Sequence, residues 1–313
     1  MKKVVLSFLL LVGIGFADDY KNGTNAYDKK DFKTALRFFQ KACHSGDAYG
    51  CAMIGLMYHG GVGAKQDIFK AVELFSKACE GGDTAGCYAL GMMNYGGTGV
   101  KLDKFKAVEL FSEACEGGDA AGCNQLGRMY LEGNSVEQDS FKAAELYSKA
   151  CEGSDAAGCY TLGIMHYKGN GIEQDSFKAV ELFEKVCEGG GASGCYMLGV
   201  MYTEGEGVKE DGFKAAELYS KACEGGTTAG CYLLGVMYKN GESVKQDSYK
   251  AVKLLSKACD GRQAGGCDLL GLMYVAGDGI KKNNKLALKY FGKACDMKNE
   301  KGCKHYAKLK SEL

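Results

Sequence analysis

The stretch that decides the fold is CEGGDAAGC, residues 115–123, in which two cysteines eight positions apart enclose a glycine-rich segment. The same frame returns at residues 79–87, 151–159 and 223–231. Eight cysteine pairs keep this spacing, and each pair lies 36 residues after the previous one. The pairs are Cys43 and Cys51, Cys79 and Cys87, Cys115 and Cys123, Cys151 and Cys159, Cys187 and Cys195, Cys223 and Cys231, Cys259 and Cys267, and Cys295 and Cys303. A fixed period of this length without strand-like alternation predicts a solenoid of α-helical hairpins, in which each hairpin buries its apolar face only against its neighbours.

One repeat shows how a hairpin is encoded. In DKFKAVELFSEACEGG, residues 103–118, four apolar residues recur at helical spacing and predict an amphipathic helix, namely Phe105, Val108, Phe111 and Ala114. Asp103 is placed to cap the N-terminus of this helix by accepting backbone N–H bonds. Gly117 and Gly118 end the helix. The equivalent cap positions are Asp31, Asp67, Asp139, Asp175, Asp211, Asp247 and Asn283.

A second helix is predicted at CNQLGRMYLEG, residues 123–133, and Asp119 is placed to cap its N-terminus. We call the helix that ends at the first cysteine of a pair helix B, and the helix that begins at the second cysteine helix A. Counted from the second cysteine, position +4 is glycine and position +6 is methionine in seven repeats. A glycine inside a helix costs about 1 kcal/mol relative to alanine, so its recurrence predicts close approach of two helices. We expect +4, +6 and the tyrosine that usually occupies +7 to belong to the core.

The N-terminus and the overall charge indicate where the protein works. Lys2 and Lys3, an apolar run from Val4 to Phe16 and a small residue at Ala17 are typical of a secretory signal peptide cleaved after residue 17. The alternative, an uncleaved membrane anchor, is disfavoured because a bilayer span needs about 20 apolar residues. We therefore predict a signal peptide at 1–17 and a single repeat domain at 18–313 that is exported to the periplasm or the medium without a membrane anchor. The 39 basic and 39 acidic side chains balance, which disfavours nucleic acid as a partner.

The cysteine pairs are predicted to be disulfides, because an exported chain meets an oxidising environment. Local geometry allows two pairings, since the ends of a hairpin, such as Cys87 and Cys115, also lie close together. Pairing at eight residues uses all sixteen cysteines, whereas pairing across the hairpin leaves Cys43 and Cys303 unpaired. This favours the short loops. Zinc is disfavoured because structural zinc sites use a C-x₂₋₄-C spacing that the chain lacks, and we predict no metal and no cofactor.

The repeat G-C-Y-x-L-G-x-M-Y-x-x-G-x-G-V-x-x-D-x-F-K-A-x-E-L-[FY]-x-K-A-C resembles the Sel-one-like repeat, a relative of the tetratricopeptide repeat. With its paired cysteines and apparent signal peptide, the chain is similar over about 20–313 to the secreted Helicobacter cysteine-rich protein family. The first repeat departs from the pattern, because NGTNAYDKKDF at 22–32 has a shorter loop. The resemblance implies an all-α, right-handed superhelical solenoid of about eight helix-turn-helix units, cross-linked by disulfides at the eight-residue spacing. A C-terminal capping helix is expected at about 299–313.

The resemblance also implies a contested activity, because members of that family have been described as penicillin-binding proteins and slow β-lactamases. Such a serine enzyme would show the motifs S-x-x-K, S-D-N and K-T-G, and the sequence contains none of them. A metalloenzyme would need clustered histidines, whereas the four here, His44, His59, His166 and His305, lie in four different repeats. His166 replaces the usual tyrosine at +7, and we interpret it as a tolerated substitution rather than a general base. The predicted function is a protein- or peptide-binding module or scaffold, and a weak β-lactamase is the alternative that the resemblance alone implies, without assigned catalytic residues.

Positions +2, +5 and +9 of helix A have helical spacing and vary between repeats, while +3, +4 and +6 barely change. By analogy with related solenoids, this stripe and position +1 line a concave binding face, although a merely solvated stripe would vary in the same way. The candidate ligand-binding residues are Asn124, Gln125, Arg128, Glu132, Tyr160, Thr161, Lys168, Tyr196, Glu204, Tyr232 and Asn240. Aromatic side chains mixed with arginine and polar groups suit a protein or peptide ligand. β-Lactams or peptidoglycan fragments are the alternative ligands.

Overall fold

The computed structural model describes residues 18–313, and this part of the chain is entirely α-helical. The signal peptide predicted at 1–17 lies outside the described residues. The helices are α1 (18–28), α2 (Phe32–His44), α3 (Ala48–Gly60), α4 (Ile68–Glu80), α5 (Thr84–Gly96), α6 (Lys104–Glu116), α7 (Ala120–Glu132), α8 (Ser140–Glu152), α9 (Ala156–Lys168), α10 (Ser176–Glu188), α11 (Ala192–Glu204), α12 (Gly212–Glu224), α13 (Thr228–Asn240), α14 (Ser248–Asp260), α15 (Ala264–Ala276), α16 (Asn284–Asp296) and α17 (Glu300–Ser311).

The chain forms two compact units, one that ends at Gly158 and one that spans Cys159–Leu313. Odd-numbered helices are A helices and even-numbered helices are B helices. Each helix packs against the next one in the chain, from α2 to α8 in the first unit and from α10 to α17 in the second. The predicted all-α solenoid of helical hairpins is confirmed within each unit. None of the helices in 18–313 is both long and apolar enough to cross a bilayer.

Polar caps start the helices where the sequence predicted them. The Asp103 carboxylate accepts a hydrogen bond from the Lys106 backbone N–H at 2.9 Å, and the Asp119 carboxylate accepts one from the Gly122 N–H at 2.6 Å. Gly118 adopts a left-handed φ of 91° directly after helix α6. The predicted caps of the other B helices, Asp31, Asp67, Asp139, Asp175, Asp211, Asp247 and Asn283, make the same side-chain contact.

The glycines at +4 allow helix A to lie directly on a large side chain of helix B. A Cβ atom on Gly91 would stand 2.7 Å from the ring of Phe111, and one on Gly271 would stand 2.5 Å from the ring of Phe291. Real Cβ atoms do not approach carbon so closely, so the predicted close contact is confirmed. The same relation holds for Gly55 and Phe75, Gly163 and Phe183, and Gly199 and Tyr219.

The buried side of helix B differs from the sequence prediction at one position. Phe111 and Ala114 are fully buried and Val108 is half-buried, but Phe105 is 71% exposed. The prediction that Phe105 shares the packed face was therefore wrong. At 100° per residue, Phe105 lies on the opposite side of the helix from the stripe that Phe111 and Ala114 define. The equivalent aromatic residues Phe69, Phe141, Phe177, Phe213 and Tyr249 are also exposed.

The residues at position +6 belong to the core, whereas those at position +7 are only partly buried. Six of the seven methionines at +6 are buried, and the exception is the half-buried Met237. The tyrosines at +7 are half-buried, which corrects the prediction that they belong to the core. Their hydroxyl groups reach the surface, where the Lys142 ammonium donates a hydrogen bond to the Tyr130 oxygen at 2.8 Å.

Within each unit, disulfides join a helix B to the following helix A. In Cys115–Cys123 the Cα atoms are 4.5 Å apart. The other bonded pairs are Cys43–Cys51, Cys79–Cys87, Cys187–Cys195, Cys223–Cys231, Cys259–Cys267 and Cys295–Cys303. Cys151 and Cys159 are disulfide-bonded as well. The described chain thus has no free cysteine, and its density of disulfides indicates an oxidising compartment.

Replacing Gly91 with alanine should lower the free energy of unfolding by about 1–3 kcal/mol, because the added methyl group overpacks the contact with Phe111. Urea denaturation monitored by circular dichroism measures the change. Gly292→Ala is the matched control, since Gly292 also lies inside a helix but its Cβ would meet no atom closer than 3.6 Å. There we expect a gain of up to about 1 kcal/mol. Equal effects at the two positions would contradict the close-contact argument.

Replacing Cys115 and Cys123 together with serine should lower the free energy of unfolding by about 2.5 kcal/mol, the value that the chain-entropy model gives for so short a loop. The measurement is urea denaturation without reductant. In the presence of reductant, wild type should unfold earlier than it does without reductant, and the difference between the two proteins should shrink. A double variant as stable as wild type would show that this disulfide does not hold the two helices.

Candidate functional site

The candidate site lies on a surface that we call the A face, formed in each unit by positions +1, +2, +5 and +9 of the A helices. The predicted residues at +9 are exposed, namely Glu132, Lys168, Glu204 and Asn240. Those at +1, +2 and +5 are half-buried, namely Asn124, Gln125, Arg128, Tyr160, Thr161, Tyr196 and Tyr232. The predicted residues are therefore accessible, and they are distributed over two compact units rather than gathered in one cluster.

In the first unit, the A face opens into an apolar cavity of about 310 Å³ between α3 and α5. Leu56 and Met92, both at position +5, line it together with Tyr88 at position +1. Leu56 is 53% exposed and Met92 is 38% exposed. Large apolar side chains that remain open to solvent on a rigid concavity are typical of a binding surface.

One repeat further, the same face becomes polar. Arg128, at +5 of α7, donates a hydrogen bond to the Gln125 side-chain oxygen at 2.6 Å. Its guanidinium carbon lies 5.4 Å from the centre of the Tyr95 ring, and the Lys104 ammonium lies at the same distance from that ring. Asn134 joins the group, because its amide donates to the Tyr95 hydroxyl at 3.3 Å and accepts from Lys104 at 3.3 Å. Two cations thus flank one aromatic ring.

In the second unit, the A face carries tyrosine rings that pack against aromatic rings of the B helices. The Tyr160 ring lies 5.7 Å from Phe183, and the Tyr196 ring lies 6.2 Å from Tyr219. Tyr167 donates a hydrogen bond to the Glu204 carboxylate at 3.0 Å. Burial, followed by this bond to Glu204, raises the pKa of Tyr167 to about 12. The hydroxyl therefore stays protonated and serves as a hydrogen-bond donor at neutral pH.

Aspartates line the edge of the A face in the first unit. Asp47, Asp83 and Asp119 cap α3, α5 and α7, and each carboxylate accepts backbone N–H bonds. Asp83 is only 4% exposed. Burial, with smaller contributions from the charges of Asp119 and Asp47, raises its pKa above the usual 3.8. Three carboxyl groups make this edge of the face acidic, whereas Arg128 and Lys104 make the other side basic.

The histidines form no catalytic group. His44 and His59 line different cavities, and His305 pairs with the buried Asp268 at 2.7 Å. His166 is half-buried, and its Nδ1 is a buried atom without a hydrogen-bond partner. Within residues 18–313, one group of three potential metal ligands lies close together, namely Cys79, Cys87 and Glu113. Its two sulfurs are bonded to each other, so they are not available to a metal ion.

Sequence reasoning missed Leu56, Met92, Tyr95 and Lys104, although each occupies a variable position of the repeat. Leu56 and Met92 occupy the same register position as Arg128, but the stripe was followed only from the third cysteine pair onward. Lys104 is the first residue of its helix B, where three other repeats have serine. Comparing the repeats at this position would have found it.

The Sel1 repeat profile matches residues 14–47, 48–83, 84–119, 120–155, 156–191, 192–227, 228–262 and 265–299. A search of curated proteins finds no match. Among solved structures, c5321 of uropathogenic Escherichia coli, a protective antigen with an SLR fold, has a TM-score of 0.86 and 28% identity over 95% of this chain. This chain spans 65% of the length of that antigen.

Two further structures are similar. A Sel1 repeat protein from Oxalobacter formigenes has a TM-score of 0.68 and 23% identity, covering 77% of this chain and 96% of its own. Cysteine rich protein B of Helicobacter pylori is 37% identical, with a TM-score of 0.35, and covers 43% of this chain and 97% of its own. The first of these shares the fold.

Replacing Asp83 with asparagine keeps the oxygen that caps α5 but removes a buried charge. Because the folded pKa of Asp83 is raised, its contribution to stability is complete below about pH 3.8 and is lost as the pH rises through the folded pKa. Asp83→Asn should therefore gain stability relative to wild type between about pH 3.5 and pH 7. Urea denaturation at both pH values measures this, with Asp119→Asn as the control at a more exposed cap. A gain no larger than that of the control would contradict the prediction.

Proposed function

The chain belongs to the Sel1 repeat family, and we propose that it is an exported binding module whose A face holds an extended segment of a partner protein. The observation that carries the proposal is the open apolar cavity lined by Leu56, Tyr88 and Met92. Helical repeat scaffolds of this kind are suited to protein binding, because stacked hairpins present a long continuous surface. A partner that covers Leu56 and Met92 removes exposed apolar area from water.

The surface is preformed, which favours binding. The Cys79–Cys87 disulfide joins α4 to α5 beside the cavity, and Gly91 locks α5 against Phe111. A surface whose backbone is already ordered loses little conformational freedom when a ligand binds. We propose that the disulfides contribute to binding in this way as well as to stability.

In the second unit, we propose that Tyr160, Tyr196 and Tyr232 supply the contact area, with Thr161 beside them and Lys168, Glu204 and Asn240 at the rim. Tyrosine suits this role because its ring is large and rigid and its hydroxyl bonds to polar backbone groups. In the first unit, Asn124, Gln125, Arg128 and Glu132 would take the corresponding places.

The cysteines and the N-terminal sequence support a proposal about the compartment in which the protein acts. We propose that residues 1–17 direct export and are removed, which would bring the chain to a compartment where its disulfides persist. Mass spectrometry of the exported protein would identify the first residue directly.

Hydrolysis of β-lactams, and binding of β-lactams or peptidoglycan fragments, stay predictions from the resemblance, because no observed geometry favours them. Incubation of the pure protein with a chromogenic cephalosporin, followed by intact-mass analysis, tests them. Turnover or an acyl adduct would support a second function. If neither is observed, this second function is excluded.

The binding proposal is tested by displaying a library of random twelve-residue peptides and selecting on the mature protein. Synthetic versions of the enriched peptides are then measured by fluorescence anisotropy against the Leu56→Ser and Met92→Ser variants. We expect each substitution to weaken binding roughly tenfold. Each removes an apolar side chain whose burial contributes about 1.5 kcal/mol or more to the free energy of binding.

Phe105→Ser is the matched control, because it removes an exposed aromatic residue from helix B rather than from the A face. Its affinity should equal that of wild type. Peptides that bind all three variants equally well would place binding elsewhere and overturn the proposal.

A further inference from the structure

We infer that Arg128 and Lys104 recognise a carboxylate of the bound segment, so that the partner of the first unit is an acidic peptide with an apolar residue near the acidic one. This inference deepens the proposed function and rests on it. It names the chemical class of the partner and the residues that select it.

The register of the repeat puts Arg128 on the apolar stripe. Position +5 is Leu56 in α3, Met92 in α5 and Arg128 in α7. In the second unit the same position is Ile164, Val200, Val236 and Leu272. Arg128 is thus the one charged residue at +5 from α3 to α15, and it is also the only lysine or arginine in α3, α5 and α7. A cation that interrupts an otherwise apolar stripe indicates selection for a charged group of the partner.

The surroundings of Arg128 leave its charge unneutralised. Among residues 18–313, no carboxylate lies within ion-pair distance of Arg128 or Lys104, although lysines such as Lys77 and Lys106 make such pairs. The Nε atom of Arg128 is shielded from solvent and has no hydrogen-bond partner. A guanidinium presents its donors as a planar fork that matches the two oxygens of a carboxylate. Because Nε is shielded, a bound carboxylate would accept hydrogen bonds from the Nη atoms, of which Nη2 already donates to Gln125.

The neighbouring groups set the direction of the bound segment. Tyr95 supports Arg128 from one side, and Asn134 holds Lys104 beside the same ring. The opposite edge of the face carries Asp47, Asp83 and Asp119 at the starts of the A helices. A carboxylate is repelled by that edge and attracted to the side of Tyr95, so the charge distribution specifies where it binds.

The distance between the cavity and Arg128 sets the spacing of the partner's side chains. Packed helices lie about 8–10 Å apart, and an extended chain advances about 3.3 Å per residue. We therefore expect about three residues between a Leu, Met or Phe side chain that contacts Met92 on α5 and the carboxylate that binds Arg128 on α7. Tyr88 lines the cavity, and it packs against the same core cluster as Tyr95. Burial and the charges of Asp119 and Asp155 raise the pKa of Tyr88, while the charge of Arg128 opposes this rise.

The test uses the peptides selected on the wild-type protein. They should carry Asp or Glu about three residues from Leu, Met or Phe, and selection on Arg128→Gln should lose the acidic residue. For one such peptide and its Glu→Gln counterpart, anisotropy against wild type and Arg128→Gln completes a double-mutant cycle. We expect either change alone to weaken binding about tenfold to a hundredfold, as for a hydrogen-bonded charge pair. The double change, with Arg128→Gln in the protein and Glu→Gln in the peptide, should weaken binding no more than either single change does.

Lys106→Gln is the matched control, because Lys106 is an exposed lysine of the same helix as Lys104 and pairs with Glu109 instead. It should leave the affinity within about twofold of wild type, whereas Lys104→Gln should lower it. Unfolding of Arg128→Gln in urea checks that the variant is folded. Arg128→Lys should bind more tightly than Arg128→Gln but less tightly than wild type, because it keeps the positive charge but lacks the planar guanidinium donors.

Two outcomes would overturn the inference, and they can be told apart. If Leu56→Ser and Met92→Ser weaken binding but Arg128→Gln and the Glu→Gln peptide do not, the A face binds peptides without reading a carboxylate. If no peptide depends on Leu56 or Met92, the proposed function and this inference are both wrong.

Discussion

The structure depends on the contact between a glycine of helix A and a large side chain of helix B. At Gly91 and Phe111, as at Gly271 and Phe291, a Cβ atom would overlap the ring. The missing side chain fixes the distance between the two helices of a hairpin. The disulfide then fixes the next step, since it joins helix B to the following helix A across eight residues. The hairpin of α5 and α6 is thus held by disulfides at both ends and by the glycine contact between its helices.

This construction leaves one surface free to change. The constant positions +4 and +6 lie in the packed interior, so positions +1, +2, +5 and +9 can vary without loss of the fold. In the first unit that freedom gives an apolar cavity followed by a cationic group, and in the second it gives a row of supported tyrosines. Two parts of one repeated design therefore present different chemistry to a partner.

Departures from the repeat carry most of the information about function. Arg128 replaces an apolar residue at +5, and Tyr95 stands at +8 beside it. Lys104 begins a helix B that starts with serine in three other repeats. Each departure is a single change in sequence, but the three side chains meet around one ring. Their role in the proposed site depends on this contact among the three side chains, and no single one of the changes would indicate it.

The sequence by itself determined the period, the hairpins, the helix caps and the cysteine spacing, because these depend on neighbours within one repeat. It could not decide that Phe105 faces solvent, that the tyrosines at +7 are half-buried or that Tyr95 joins Arg128 and Lys104. Those facts depend on which side of each helix its neighbours cover. Only the tertiary structure decides this, since residues 24 positions apart, such as Lys104 and Arg128, reach the same ring through the stacking of separate helices.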